Sequence, residues 1–139
     1  MLAWQRAVEE GEEVGPPEGT PLQPKPGEWI IHSTGSSQFV LSGFTVNPDS
    51  MGITEVYYQF KEFECMGVQI SGDVTSEREP MWPITGSQFT IDLVTRITYG
   101  PDWDIIIEGR FDETGTHASG TWEISSAGTI CQTGTWESS

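Results

Sequence analysis

Alternating apolar and polar residues run through most of the chain after Trp29 and predict β-strands. In one such run, Val56, Tyr58 and Phe60 alternate with polar neighbours, as on a half-buried strand. Eight such runs are recognisable, separated by Gly, Pro, Asn and Ser residues: 28–34, 38–46, 53–65, 67–74, 88–95, 103–111, 120–125 and 129–136. No helical periodicity lies between them. The pattern predicts an all-β, antiparallel fold, with a two-sheet β-sandwich or jelly roll as the favoured architecture.

Two interruptions of the alternation have structural meaning. The parity of the apolar residues slips at Ser42 and Gly43, which predicts a β-bulge. Residues 47–52 (NPDSMG) combine a proline with Asn, Asp and Gly, which predicts a turn. The two features mark where the strands bend and end.

A short sequence is repeated near the C-terminus. Residues 118–123 (ASGTWE) recur as residues 132–137 (QTGTWE), with a Ser-Ala-Gly turn between the copies. The pair predicts a hairpin in which Trp122 and Trp136 belong to the core and the glycines relieve crowding between strands. A ligand platform built from the two tryptophans is the alternative.

The first 26 residues differ in composition from the rest. Residues 11–27 contain five prolines, which exclude a helix or a central strand and predict a semi-rigid extended linker. Ahead of the linker, Leu2 and Trp4 belong to a short apolar head that we expect to dock on the domain or on a neighbouring subunit. The sequence thus divides into an N-terminal arm and Pro-rich linker, 1–26, and a β-sandwich domain, 27–139.

The chain is strongly acidic, with a formal net charge of −15 from 21 Asp and Glu against 6 Lys and Arg. Most of these acids lie after residue 28, so the domain itself carries the charge. Such a surface repels polyanions, which argues against nucleic acid and anionic membranes as partners. No apolar stretch approaches the roughly 20 residues that a spanning helix needs, so membrane insertion is not expected.

The two cysteines, Cys65 and Cys131, lie in different predicted strands. One pair in a small β-protein rich in Gly, Ser and Thr favours a structural disulfide over a metal site, which needs more Cys or His ligands. The alternative is two buried free thiols in a cytoplasmic protein. A disulfide would place the chain in an oxidising compartment.

Several short motifs follow one another in a characteristic order. They are 24–29 (PKPGEW), 44–46 (FTV), 52–54 (GIT), Cys65, 84–86 (ITG), Phe89, 109–111 (GRF), 118–121 (ASGT) and 131–134 (CQTG). This order resembles a small β-sandwich domain of secreted and cell-envelope bacterial proteins, of undefined function. The resemblance implies export and a Cys65–Cys131 bridge, and it carries no catalytic residues. No secretory signal is recognisable, so an extracellular or cell-envelope location is inferred from the cysteines and the resemblance.

Sequence signals for catalysis are sparse. The histidines are His32 and His117, and there is no Gly-x-Ser-x-Gly elbow, zinc-binding helix motif or phosphate-binding glycine loop. Paired carboxylates are the remaining option, because sandwich-fold glycosidases use two acids. The acids in predicted strands are Glu55, Asp92, Asp104 and Glu108. Any acidic β-protein offers such residues, so we expect no enzyme and keep a glycosidase as the second alternative.

Two kinds of ligand fit the residue types. A carbohydrate-binding module would stack sugars on exposed aromatic residues, for which Tyr57, Trp82 and Trp103 are candidates. Trp82 is the foremost, since its Pro-rich surroundings predict an irregular segment with an exposed indole. Calcium is the other ligand, because Asn47, Asp49 and Glu55 place oxygen donors around one turn. We expect no cofactor other than such a structural Ca²⁺.

The leading hypothesis is a non-catalytic extracellular or cell-envelope domain with a structural, adhesive or assembly role. The N-terminal arm supplies a mechanism, because an extended leader with an aromatic head can add along a sheet edge of a neighbouring copy. Repetition of that contact would build an oligomer or a filament. The expected partner is therefore a second copy of the chain or, in the alternative, a surface glycan. Packing of the arm on its own domain is the competing interpretation.

Overall fold

The computed structural model describes residues 23–98 and 100–139, which form an antiparallel all-β structure. Its strands are β1 (Gly27–Ser33), β2 (Phe39–Val46), β3 (Gly52–Cys65), β4 (Val68–Pro83), β5 (Gln88–Thr95), β6 (Trp103–Phe111), β7 (Ala118–Ser126) and β8 (Thr129–Ser138). The predicted number and orientation of the strands are confirmed, and the described residues contain no helix.

All eight strands belong to one sheet, in the order β4-β3-β2-β1-β8-β7-β6-β5. β1 makes the sheet continuous, because Gly27–Ile30 pairs with β2 and Ile31–Ser33 pairs with β8. The halves on either side of β1 face each other, so the sheet curls nearly into a barrel. One up-and-down sheet therefore takes the place of the two separate sheets in the sequence prediction. Local alternation does not reveal this, since β1 and β8 lie at opposite ends of the described chain.

Aromatic side chains from both halves of the sheet fill the interior. Phe39 on β2 lies 4.7 Å from Trp122 on β7, measured between ring centroids, and Phe60 on β3 lies 5.8 Å from Trp103 on β6. Further pairs across the interior are Trp29–Phe111, Phe44–Phe89, Phe44–Trp136 and Phe63–Trp103. An eight-stranded barrel is just wide enough for side chains to fill it, so these rings hold the two halves together.

The repeated Gly-Thr-Trp sequence forms a reciprocal packing arrangement on β7 and β8. Gly120 pairs with Trp136, and Trp122 pairs with Gly134, so each glycine lies opposite the tryptophan of the other copy. A Cβ on Gly134 would lie 2.5 Å from Trp122 Nε1 and would also collide with the Thr34 carbonyl oxygen. Both tryptophans are buried, which confirms their predicted place in the core.

The predicted bulge and turn between β2 and β3 are both present. The register shifts between Leu41 and Gly43, and a Cβ on Gly43 would collide with the Trp29 carbonyl oxygen. Ser50 N donates a hydrogen bond of 2.8 Å to the Asn47 carbonyl, which closes the turn. Glycine at the bulge therefore reflects the close approach of β1.

The last part of β4 departs from the prediction, because the strand runs to Pro83 instead of ending at Val74. Prolines lack the N–H that a central strand requires, which is why the sequence pattern ends earlier. Among the described residues β4 pairs with β3 alone, so it is an edge strand that tolerates proline. Residues 78–81 of β4 lie opposite the single residue Thr54, and this wide bulge accommodates Pro80.

A disulfide joins Cys65 and Cys131, as predicted, with 5.6 Å between the Cα atoms. It links β3 to β8, which are separated by β2 and β1 in the sheet. The pairing of β3 with β2 extends only to Phe60 opposite Phe39, so the end of β3 runs past the start of β2. The bridge therefore closes the sheet where strand pairing stops. A disulfide also suggests a location outside the cytoplasm.

Substitution of Gly134 tests the reciprocal packing. Ala in place of Gly ordinarily stabilises a strand, because glycine loses more backbone entropy on folding. Here we expect Gly134→Ala to lower the free energy of unfolding by about 2–3 kcal/mol, since the new Cβ overlaps Trp122 and Thr34. Urea unfolding followed by tryptophan fluorescence measures this. Thr133→Ala, at the exposed neighbouring position, is the control and changes the value by less than about 1 kcal/mol. Equal effects of the two changes would contradict the packing.

Removal of the disulfide tests its role as a closure. The bridge spans 66 residues, and a loop of that length corresponds to about 4 kcal/mol of chain entropy. We expect Cys65→Ala/Cys131→Ala to lower the free energy of unfolding by about this amount, seen as a lower urea midpoint. Reduction of the unmutated protein should have a similar effect. Intact mass before and after reduction verifies the bond. An unchanged midpoint, or two alkylatable thiols in the native oxidised protein, would count against the closure.

Candidate functional site

The start of the described chain is fastened to one end of the barrel by three hydrogen bonds. Ser50 Oγ donates to the Pro24 carbonyl at 2.7 Å, and Lys25 N donates to the Gly115 carbonyl at 3.0 Å. Trp29 Nε1 donates to the Lys25 carbonyl at 2.7 Å. Pro24 and Ser50 are both buried. Residues 23–26, which we call the N-terminal anchor, therefore fix the position at which residues 1–22 join the domain.

One carboxylate shapes the loop between β6 and β7 that receives the anchor. Asp112 Oδ1 accepts hydrogen bonds from Thr114 Oγ1 at 2.7 Å and from Thr114 N at 3.0 Å. These bonds, the Thr114 hydroxyl first, hold the pKa of Asp112 below its usual value. The ordered loop presents the Gly115 carbonyl to Lys25. Sequence reasoning did not assign Asp112 to an anchor, although an Asp two residues before a Thr is a recognisable turn signal.

A groove of about 410 Å³ lies beside the anchor. One wall consists of Gln23 and Pro24, and the other includes Ile84, Gly86 and Ser87 of the connection between β4 and β5. Within the described ranges these two strands form the ends of the sheet order and do not pair with each other. We call the gap between their edges the seam. The N-terminal anchor therefore sits at the end of the barrel where the seam begins.

Two of the three aromatic residues predicted to bind sugars are buried. Trp82 is 2% exposed and Trp103 is 0% exposed, so the prediction of an exposed Trp82 is wrong. Trp82 pairs with Ile53 because β4 continues past Pro80, and its ring faces inward. Trp103 follows the same parity as the buried residues Ile105 and Ile107. Neither indole presents a face to a ligand on the surface.

Tyr57, the third predicted aromatic, belongs to a hydrogen-bonded group on the outer face of β3. Its hydroxyl donates to Glu55 Oε1 and lies 2.6 Å from Thr45 Oγ1. The hydrogen bond to the Glu55 carboxylate raises the pKa of Tyr57, because loss of the phenol proton would place two negative charges together. The ring also lies against the backbone of Gly43. One face of Tyr57 is therefore covered by its own sheet.

The three predicted calcium ligands do not converge. Asp49 Oδ1 accepts a hydrogen bond from Met51 N at 2.9 Å, within the turn. The side chain of Asn47 and then this backbone bond hold the pKa of Asp49 below its usual value. The carboxylate of Glu55 instead accepts a hydrogen bond from the Tyr57 hydroxyl. In residues 23–98 and 100–139, no group of three or more His, Cys, Asp or Glu is arranged to hold a metal ion.

A surface depression of about 690 Å³ lies at the wide bulge of β4. Asn47 and Glu55 reach its rim together with Glu77, Arg78 and residues 79–81. Glu55 and Glu77 are directly opposed on β3 and β4, an unfavourable placement for two like charges. The depression therefore contains two of the predicted calcium ligands, Asn47 and Glu55, and the second of these also accepts the hydrogen bond from Tyr57.

The remaining candidates for catalysis are spread over the surface. Asp92, Asp104 and Glu108 point outward from β5 and β6, on the half of the sheet opposite Glu55. His32 Nε2 lies 2.7 Å from Ser139 Oγ, and His117 lies beside Asp112 in the loop between β6 and β7. The fold thus separates Glu55 from Asp92, Asp104 and Glu108, the other carboxylates considered for catalysis.

Leu2 and Trp4, the predicted docking residues of the arm, lie outside the described residues. The chain matches no protein-family model, curated protein or solved structure in the comparisons made. None of the described residues belongs to a helix long and apolar enough to cross a membrane.

Titration of Tyr57 tests its hydrogen bond to Glu55 on the outer face of β3. Because its folded pKa is raised above the ordinary value of 10.0, the protonated phenol stabilises the fold below that pH. This contribution is lost as the pH rises through the folded pKa. We expect ultraviolet difference spectra to show a late-titrating tyrosine that Tyr57→Phe removes and Glu55→Gln shifts to lower pH. A titration curve that neither variant alters would contradict the hydrogen bond.

Proposed function

We propose that this chain is a non-catalytic extracellular or cell-envelope domain with a structural, adhesive or assembly role. In this proposal residues 1–22 of one copy bind a second copy. The observation that supports it most is the N-terminal anchor, since three hydrogen bonds fix the place where the arm begins. A fixed origin limits the region of space that the arm reaches, which favours a defined contact.

The disulfide supports the proposed location. It joins two strands that are not neighbours in the sheet and so reinforces the domain in an oxidising environment. An extracellular or cell-envelope site provides such an environment. The acidic surface agrees with this role, because a net charge of −15 keeps copies apart unless a specific contact joins them.

The burial of the aromatic side chains supports a role in which partners contact strand edges, loops or the arm. The tryptophan and phenylalanine side chains of the described domain are all buried in the core, so a partner would bind to strand edges, loops or the arm. Residues 1–8 (MLAWQRAV) are apolar apart from Gln5 and Arg6. Such a segment has both apolar side chains and backbone groups to offer a strand edge.

Binding of a surface glycan is the second proposal, and we assign it to the depression at the β4 bulge. The depression at the β4 bulge offers Asn47, Glu55 and Arg78 as hydrogen-bonding groups. Tyr57 is the one aromatic residue of the original three that is not buried. Sugar binding there would rely on hydrogen bonds more than on stacking.

Light scattering on the full chain tests the assembly proposal. We expect species larger than the 15.4 kDa monomer, and we expect Leu2→Asn/Trp4→Asn to return the protein to monomer by placing polar amides in an apolar contact. The matched control is Ala3→Asn/Ala7→Asn, which adds the same amides at the alternate positions and leaves the assembly in place. A monomer at every concentration for the unmutated chain would refute the proposal.

A further inference from the structure

Among the residues that the structure describes, the core of the barrel is incompletely covered along the seam between β4 and β5. Seven apolar residues pack on the core while remaining partly exposed, and six of them lie on β4, on β5 or beside β5. They are Val68, Ile70, Val74, Ile84, Leu93 and Ile97. Inward side chains on the neighbouring strands β3 and β6 are buried. An apolar strip therefore follows the seam from the disulfide end of the barrel to the anchor end.

The edges of β4 and β5 that face the seam carry backbone N–H and C=O groups. Elsewhere in the sheet, groups of this kind form hydrogen bonds with a neighbouring strand. Among residues 23–98 and 100–139, β4 pairs with β3 alone and β5 pairs with β6 alone. Alternate N–H and C=O groups of each strand thus face the seam without a strand partner, which is the arrangement that favours strand addition. Apolar side chains and backbone groups of both kinds are available along one line.

We propose that residues 1–8 of a second copy of this chain add to the β5 edge of the seam. This inference rests on the proposed assembly function and names its acceptor surface. Leu2, Trp4 and Val8 share one parity with Arg6, so an extended segment would direct the three apolar side chains to the apolar strip. The long Arg6 side chain would lie along the strip and place its charged end at the rim, where the acids lie. The same segment carries Arg6 as its one charged side chain.

Charge favours this segment over the rest of the arm. The outer faces beside the seam carry Asp73 and Glu77 on β4 and Asp92 on β5, all exposed. Residues 9–13 contain four glutamates, which these acids repel. Residues 1–8 have the opposite sign and the apolar side chains. The complementarity therefore selects the head of the arm.

The length of the arm allows the head to reach a neighbour. An extended Pro-rich segment spans about 3.1 Å per residue, so residues 9–22 would cover up to about 43 Å. The eight residues of β5 cover about 27 Å at roughly 3.4 Å per residue. The reach of the arm therefore exceeds the length of the strand beside which it starts, which is long enough to place the head on a second copy. In a second copy the same head meets an equivalent free edge.

Hydrogen exchange on the full chain tests the acceptor surface. We expect the seam-facing amides among residues 88–95 of β5 to be protected in the assembled protein and to exchange at least about tenfold faster in Leu2→Asn/Trp4→Asn. The amides of β7 are the internal reference and do not change. Ala3→Asn/Ala7→Asn keeps the protection, because its polar side chains lie on the other face of the added strand.

A matched pair on the acceptor separates the seam from the rest of the surface. Leu93 lies in the apolar strip on β5, whereas its neighbour Val94 is 53% exposed on the outer face of the same strand. We expect Leu93→Thr to raise the dissociation constant of the assembly about tenfold and Val94→Thr to leave it unchanged, since only the first places a hydroxyl in the contact.

The outcomes distinguish this inference from the assembly proposal. Protection of β5 that grows with protein concentration supports a second copy. Protection in a monomer, independent of concentration, would assign the seam to the chain's own arm and overturn the inference. The inference would also be overturned if the Leu2→Asn/Trp4→Asn variant lost assembly while β5 exchange stayed the same in both states and Leu93→Thr had no effect. The assembly proposal would then stand.

Discussion

The whole architecture depends on the change of partner within β1. The strand pairs with β2 up to Ile30 and with β8 from Ile31. These neighbouring residues differ sharply in burial, with Ile30 61% exposed and Ile31 3% exposed. The strand thereby belongs to both halves of the sheet and turns them to face each other. The interlocked aromatic core, the disulfide closure and the seam all follow from that placement.

The two sides of the nearly closed sheet are completed in different ways. On the side of β1, strand pairing stops before the disulfide end, and Cys65–Cys131 covers the remaining distance. On the opposite side, β4 and β5 approach without pairing with each other, and apolar side chains and backbone groups line the seam. A covalent bond thus secures one side, and within the described part of the chain the other side keeps unpaired edges. The N-terminal anchor lies at the end of that second side, which connects the fold to the proposed assembly.

Local features of the sequence predict much of this structure. Alternation locates the strands, the slip at Gly43 locates a bulge, and the repeated Gly-Thr-Trp locates the hairpin of β7 and β8. The glycines of the repeat have physical causes, because Gly134 makes room for Trp122 and Gly120 makes room for the backbone of Glu108 on β6. Long-range pairing is what the sequence does not show. The extent of β4 and the burial of Trp82 depend on an edge position that only the complete sheet defines, and the anchor depends on loops distant in sequence.

The central claim is that β1 and the interlocked aromatic core make the two halves of the sheet unfold as one cooperative unit. Native-state hydrogen exchange of one strand pair from each half tests it. The amides of β2–β3 and of β6–β7 should report the same free energy of opening, equal to the global value from urea unfolding. Opening of one ladder several kcal/mol below the other would show two independent layers and contradict the account.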